Sequence, residues 1–293
     1  MKSRQNLGSS ISLSVSAVSN RFGISKQAFY KRKKQTELQL SIETKIIEEV
    51  LKIRGRMPRT GTRKLHEMLV SKDSNLMKKT GRDKLFSLLS KKSLLVKKKK
   101  RAYRTTNSNH IFKKYTNLIR DLKDIKPLEV IVSDITYIPM KRGKHSYLSL
   151  ATDYGSRSII GWYLSSDLSH NGPLKAIMKA EKSYNLKGSI HHSDRGMQYC
   201  CHDYINYLVS KDINISMTEK DHVYENALAE RVNGILKDEF MIDIGFSSMK
   251  EAIKAISESI KIYNEERLHL SLKYKTPHEV LYSHIRQGKE ICG

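Results

Sequence analysis

One run of eight residues, Ile131-Val-Ser-Asp-Ile-Thr-Tyr-Ile138, constrains this chain more than any other. It is made mostly of β-branched and aromatic residues, the material of a strand in a packed sheet, yet an aspartate stands near its centre. A carboxylate in core material is costly unless hydrogen bonds or a cation satisfy it. The rest of the chain must therefore supply both a covered sheet and a use for Asp134.

The sheet is readable from the residues around and after this run. Residues 128–139, 146–153 and 157–165 have strand character, and Gly143 and Gly155-Ser156 fall where hairpin turns belong. The pattern then predicts a helix over 173–184, a strand over 188–192, a helix over 199–211 and a strand over 213–217. Two more helices come next, at about 226–240 and 248–265. Three strands, helix, strand, helix, strand and helices make an α/β fold, a mixed sheet flanked by helices.

Residues 1–96 read differently, as a string of short helices, with a linker over 97–125 and the sheet domain over 126–293. Residues 12–34 predict a helix-turn-helix. Leu13, Val15 and Val18 are the apolar positions of its first helix, Gly23 makes the turn, Ile24 packs the corner, and Ser25 caps a second helix from Lys26. Lys26, Gln27, Tyr30, Lys31 and Arg32 on that second helix can reach base edges and phosphates. A separate amphipathic helix is expected from Ile42 to Leu51, then helices over 65–70 and 81–96. Charge marks the same division. Residues 1–126 hold 33 Lys+Arg against 9 Asp+Glu, whereas residues 127–293 hold 21 of each, so the first part carries the whole formal excess of +24. The excess peaks at Lys97, Lys98, Lys99, Lys100 and Arg101. A basic module joined to a neutral one points to a polyanion partner, and nucleic acid fits best.

Three acids are placed for chemistry. Asp134 interrupts its strand, and Asp194 follows a short strand in His191-His-Ser-Asp-Arg-Gly196, at the sheet end where ligands collect. Glu230 lies on a helical stretch with Gly234 at i+4 and Lys237 at i+7, so a carboxylate, a bare patch and a cation share one face. Taken singly, each acid also reads as a capped, paired or solvated residue.

These three acids, with 35 residues between the last two, resemble the DDE triad of retroviral-integrase-type transposases, and most closely the second-frame (OrfB) protein of the insertion-sequence-three family. The flanking words are similar too: Val132-Ser-Asp-Ile-Thr-Tyr-Ile138, His192-Ser-Asp-Arg-Gly-Met-Gln-Tyr199, Tyr224-Glu-Asn-Ala-Leu-Ala-Glu-Arg-Val-Asn-Gly-Ile-Leu-Lys237 and Tyr263-Asn-Glu-Glu-Arg-Leu-His-Leu-Ser-Leu272 before Thr276-Pro277. So are Pro58-Arg-Thr-Gly-Thr-Arg-Lys-Leu65 and Gly81-Arg-Asp-Lys-Leu85. The resemblance implies an RNase H-like catalytic core and metal binding by Asp134, Asp194 and Glu230. Two Mg²⁺ ions are implied, with Mn²⁺ able to substitute. It implies 3′-end cleavage and strand transfer on the element's terminal repeats and target DNA, as a homo-multimer and with a first-frame (OrfA) partner. It also implies contact of Lys237, with support from Arg231, to the DNA end. Tyr263, Arg267 and His269 match the closing motif and read as packing or DNA contact.

Other features are weaker. Asp153 ends a strand and could face the site, and Glu225 reads as a cap or loop acid. His191, His192, Cys200, Cys201 and His202 cluster in sequence without zinc-ligand spacing. Three cysteines cannot form a disulfide framework, and no apolar run reaches the ~18–20 residues of a membrane span. The Ser-rich stretch over 11–17 is a poor signal-peptide core, so the expected location is the cytoplasm, on the bacterial nucleoid. The competing readings are a catalytically inert DNA-binding regulator with an RNase H-like domain, and a nuclease acting on RNA–DNA hybrids.

Overall fold

The computed structural model describes residues 14–97, 112–219 and 226–291. Leu13, Lys98, Lys99, Lys100, Arg101, Glu225 and Cys292 lie outside them.

The N-terminal region is all helix. Helix α1 (Val15–Arg21) turns at Gly23, whose φ of +64° suits a residue without Cβ, into α2 (Lys26–Arg56). Ser25 caps α2 by accepting a bond from the Ala28 amide at 3.1 Å. The expected break before Ile42 does not occur, and α2 runs unbroken for 31 residues. Its exposed stretch over 31–40 is rich in Lys, Gln, Glu and Leu, all good helix formers, which propagate the helix without tertiary help. Helices α3 (Thr62–Lys72), α4 (Ser74–Met77) and α5 (Arg82–Lys91) close a small core on α2 around Ile46, Val50, Leu65, Leu69, Leu85 and Leu89.

The second part is built on a five-stranded sheet of order β3-β2-β1-β4-β5. Strands β1 (Val130–Pro139), β2 (His145–Asp153) and β3 (Ile159–Ser165) form an antiparallel meander. Strands β4 (Ile190–Ser193) and β5 (Asn214–Met217) add in parallel on the other side of β1. Helices α6 (Asn171–Ser183), α7 (Met197–Cys200) and α8 (His202–Ser210) supply one layer, where Ile177, Ala180, Tyr204 and Leu208 meet Ile131 and Ala151. Helices α9 (Ala227–Glu239) and α10 (Met249–Glu265) cover the other face, where Val232, Leu236, Ile256 and Ile260 meet Ile138, Leu148 and Leu150. Gly161 lets α6 approach β3, because a Cβ there would sit 2.2 Å from the Ala176 carbonyl oxygen. A meander of three strands with two parallel additions beside the first, helices on both faces, is the RNase H-like arrangement.

Two further expectations need correction. The helix expected over 199–211 is broken at Cys201, whose extended backbone (ψ 151°) separates α7 from α8. A further helix, α11 (Pro277–Ile291), comes after the two expected ones. It opens with a reciprocal cap, Thr276 Oγ1 accepting from the Glu279 amide and Glu279 Oε2 from the Thr276 amide. Residues 112–125, within the segment read as a linker, have contacts of their own with the core. Phe112 and Tyr115 pack against the α6–α8 layer, and the Leu118 amide donates to Ser216 Oγ at 2.8 Å.

Candidate active site

The fold sets Asp194 and Glu230 near enough to Asp134 for both charges to act on it. On β1, side chains alternate between the two layers, and Asp134 shares the α9 side with Ile138. Asp194 follows β4 directly, where its Oδ1 accepts from the Gly196 amide at 3.0 Å. Glu230 occupies the first turn of α9, and Asn226, the residue before that helix, donates through Nδ2 to the Ser133 carbonyl at 3.1 Å. The start of α9 is thereby pinned to β1, next to Asp134.

Electrostatics record the convergence. Burial pushes the Asp134 carboxyl up, to about 7, and the negative charges of Asp194 and Glu230 add to the rise. Bonds from Asn233 Nδ2 to Asp134 Oδ2 and from the Ile135 amide to Oδ1, both 2.9 Å, act in the opposite direction. Lys237, two turns beyond Glu230, is held below the usual lysine value by burial, against the pull of Asp243 and Asp134. It is therefore close enough to Asp134 to feel its charge. Gly234, between Glu230 and Lys237, has nothing within 4 Å of where a Cβ would stand.

Asn233, a direct partner of Asp134, is a residue that the sequence reading missed. It sits three positions after Glu230, on the same helical face, and it is the side chain that orients Asp134. An asparagine at i+3 from a helical acid was the available signal.

The donor set suits a hard divalent cation. Among the described residues no three His, Cys, Asp or Glu side chains close into a ready-made metal cage. What the site offers is an open group of carboxylates with excess negative charge, and Asn233 Oδ1, buried beside them with no protein partner. Mg²⁺ prefers one or two carboxylates plus waters and substrate phosphates to an all-protein cage.

Other sequence candidates fall elsewhere. Lys26, Gln27, Tyr30, Lys31 and Arg32 are all exposed on the first two turns of α2. Lys97 is exposed, and its carbonyl accepts from Arg59. Arg231 is exposed on the flank of α9, with its charge felt by Lys64, Tyr263 and His269 rather than by Asp134. Asp153 is fully buried and organises the β2–β3 turn, accepting from the amides of Leu128 (2.7 Å) and Ser156 (2.8 Å). His191 bonds Ser133 Oγ and the Tyr204 hydroxyl, while His192 bonds Ser216 Oγ. Tyr263, Arg267 and His269 are buried, which gives them packing and internal bonding. Tyr263 donates to the Arg157 carbonyl at 3.0 Å, and Arg267 bonds Glu239 and His269.

The chain is similar to several known proteins. Two family models, each described as Integrase core domain, match residues 124–222 and 211–277. The 31 kDa protein of insertion element IS600 from Shigella sonnei is 32% identical over 266 residues, 87% of this chain and 94% of that protein. The transposase for insertion sequence element IS904 from Lactococcus lactis is 35% identical over 164 residues, 55% of this chain and 64% of that protein. Among solved structures, the HTLV-2 integrase catalytic core domain in complex with magnesium aligns with a TM-score of 0.42 at 17% identity, over 54% of this chain and 99% of that one. The chain belongs to the integrase-core (DDE) transposases of bacterial insertion sequences, in the group typified by the insertion-sequence-three family.

Proposed function

We propose that Asp134, Asp194 and Glu230 are the catalytic carboxylates with which this transposase cuts the 3′ ends of its element and joins them to target DNA. The observation that carries the reading is the placement of the three acids: Asp134 on β1, Asp194 directly after the neighbouring β4, and Glu230 in the first turn of α9, whose start Asn226 ties to β1 through the Ser133 carbonyl at 3.1 Å. The carboxylates would hold two Mg²⁺ ions, or Mn²⁺ in their place, and the ions would supply activation of the attacking oxygen and stabilisation of the leaving one in an in-line phosphoryl displacement.

The chain's own residues do the rest. Asn233 fixes the rotamer of Asp134, so that one carboxylate edge stays turned to the site. The open surface at Gly234 lets a DNA backbone come close, and Lys237 meets its phosphate. Arg231 lies one residue round the helix and serves the flanking duplex. The exposed side chains Lys26, Gln27, Tyr30, Lys31 and Arg32 of α2 read the terminal repeat, and the basic run from Lys97 to Arg101 holds its backbone. Two ends are cut in one event, which calls for a multimer on DNA, with the first-frame protein of the element as partner. No described helix is long and apolar enough to cross a membrane, and DNA as substrate fits an enzyme of the bacterial cytoplasm, at the nucleoid.

The test is a strand-transfer assay with labelled element-end duplex and Mg²⁺. Wild type gives joined product. Asp134→Asn, Asp194→Asn and Glu230→Gln each lose it by about a thousandfold or more, while duplex binding stays within about twofold. Wild-type joining by any one of the three variants removes that acid from the site. Duplex binding by wild type with no joining, even with the first-frame protein added, identifies an inert regulator.

A further inference from the structure

The far end of α9 presents an anomaly. Its last residue, Glu239, puts a carboxylate at a helix C-terminus, where the helix dipole disfavours negative charge. The structure keeps it there with two cations. Arg267 forms a bidentate pair with Glu239, Nε to Oε2 at 2.9 Å and Nη2 to Oε1 at 2.7 Å. The second cation is Lys64, 175 residues away on α3 of the N-terminal region, 2.6 Å from Oε1. The Glu239 backbone is held from the same side, because its carbonyl accepts from the Arg59 amide at 3.1 Å. Helix-end carbonyls have no partner within their own helix, so this bond is a cap supplied in trans.

Apolar packing runs along the same line. Met57, 1% exposed at the end of α2, belongs to the core cluster of Val232, Leu236, Ile256 and Ile260 under α9 and α10. Arg56 pairs with Glu266 at 2.5 Å just beyond α10. The segment from Arg56 to Lys64 thus joins the DNA-reading helix to the end of the helix carrying Glu230 and Lys237.

The two partners of the polar contact shift the same way. Burial alone would raise Glu239, but Arg267 and Lys64 outweigh it and hold its carboxyl below the ordinary value. Lys64 is lowered to about 8 by burial and by the charge of Arg267, against the pull of Glu239. At neutral pH Lys64 remains mostly charged, so its 2.6 Å contact with Glu239 is an ion pair.

We propose that Lys64 is a positioning residue for the active site: through Glu239 it fixes the end of α9, and with it the rotation of Glu230 and Lys237 towards Asp134, so that the DNA-binding region and the catalytic helix act as one body. The lever is short. Glu239 comes nine positions after Glu230, about 13 Å along a helix. This inference rests on Glu230 being catalytic, and its test has one arm that does not.

Full-length Lys64→Met keeps the side chain's length and leaves Arg267 to neutralise Glu239, so the fold survives. We expect its melting temperature to stay within about 2 °C. Binding to element-end duplex stays within about twofold, while the joining rate at saturating DNA falls about tenfold or more, as displaced catalytic groups require. Hydrogen exchange at the last turns of α9 rises about fivefold and that of α6 stays unchanged. Lys64→Arg restores both. Wild-type joining together with wild-type α9 exchange in Lys64→Met overturns the proposal. So does an exchange increase shared equally by α6, which marks general destabilisation. If Glu230→Gln joins like wild type, the catalytic reading fails, and the exchange arm still decides whether Lys64 holds α9.

Discussion

Two helices carry side chains proposed to act on DNA, and they are built in opposite ways. Over its first four turns α2 is largely exposed, with the Ser25 cap at its start, and all five of its proposed DNA-reading side chains are exposed. Helix α9 is fixed at both ends and along one side: Asn226 ties its start to β1, Glu239 its end to the N-terminal region, and Val232 and Leu236 fill the core between. Recognition tolerates side chains that settle on contact, because each phosphate or base contact contributes separately. Phosphoryl transfer does not, because groups displaced by about an ångström lose catalysis steeply. Changes in α2 should therefore appear in binding, and changes in α9 in rate or in stability.

The strongest way to break this contrast is to cut the polar anchor of α9. Glu239→Gln leaves Arg267 buried without its anion. We expect a loss of about 3 kcal/mol at pH 7, the low end for a broken buried pair because Glu239 and Lys64 keep partial solvent access. Its pH dependence has a definite sign. The folded Glu239 carboxyl lies below its ordinary 4.5, so ionisation stabilises the fold above 4.5, and that stabilisation is lost as the pH falls through the folded value. Denaturant unfolding from pH 7 down to about 3 should show wild type converging on the variant. A constant gap across that range would remove the ion pair as the cause.

A change in the middle of α9 sharpens the contrast. Asn233→Ala removes the bond that orients Asp134. Joining should fall about 10- to 100-fold, the usual loss when a residue orienting a metal-binding carboxylate is removed, with duplex binding unchanged. Asn233→Asp tests the same bond by charge, since it sets a further anion against a carboxylate already crowded by two others. If either variant joins at the wild-type rate, Asn233 is only a packing residue.

What could be read from the sequence depends on how far apart the interacting residues lie. Asp134 was legible because a charge inside a β-branched strand contradicts its own surroundings, and the succession of strands and helices along the chain was legible because alternation and turn residues are local. The reciprocal cap of α11, Thr276 with Glu279 around Pro277, was equally local and was passed over. The unbroken α2 was harder, since residues 31–40 face solvent all round and have no apolar stripe to track. Asn233 and Lys64 lie at the other extreme. Their partners are 99 and 175 residues away, and neither residue is unusual until the fold brings it to Asp134 or Glu239. Arg267 shows the same limit: the closing motif marked it for attention, and only its bidentate bond to Glu239 says that it anchors α9.

The smallest effect belongs to the other helix. Ser25→Ala removes the bond to the Ala28 amide and should cost the α1–α2 unit about 1 kcal/mol. The turn that frays carries Lys26 and Gln27, with Tyr30 on the next. Element-end duplex binding should therefore weaken about fivefold, and the joining rate at saturating DNA should not change. A melting curve with binding and single-turnover joining separates the possibilities. If the joining rate falls along with affinity, the N-terminus of α2 is in register with the catalytic site during the reaction, and the contrast between an adaptable helix and a fixed one gives way to a single rigid path running from α2 through Lys64 into α9.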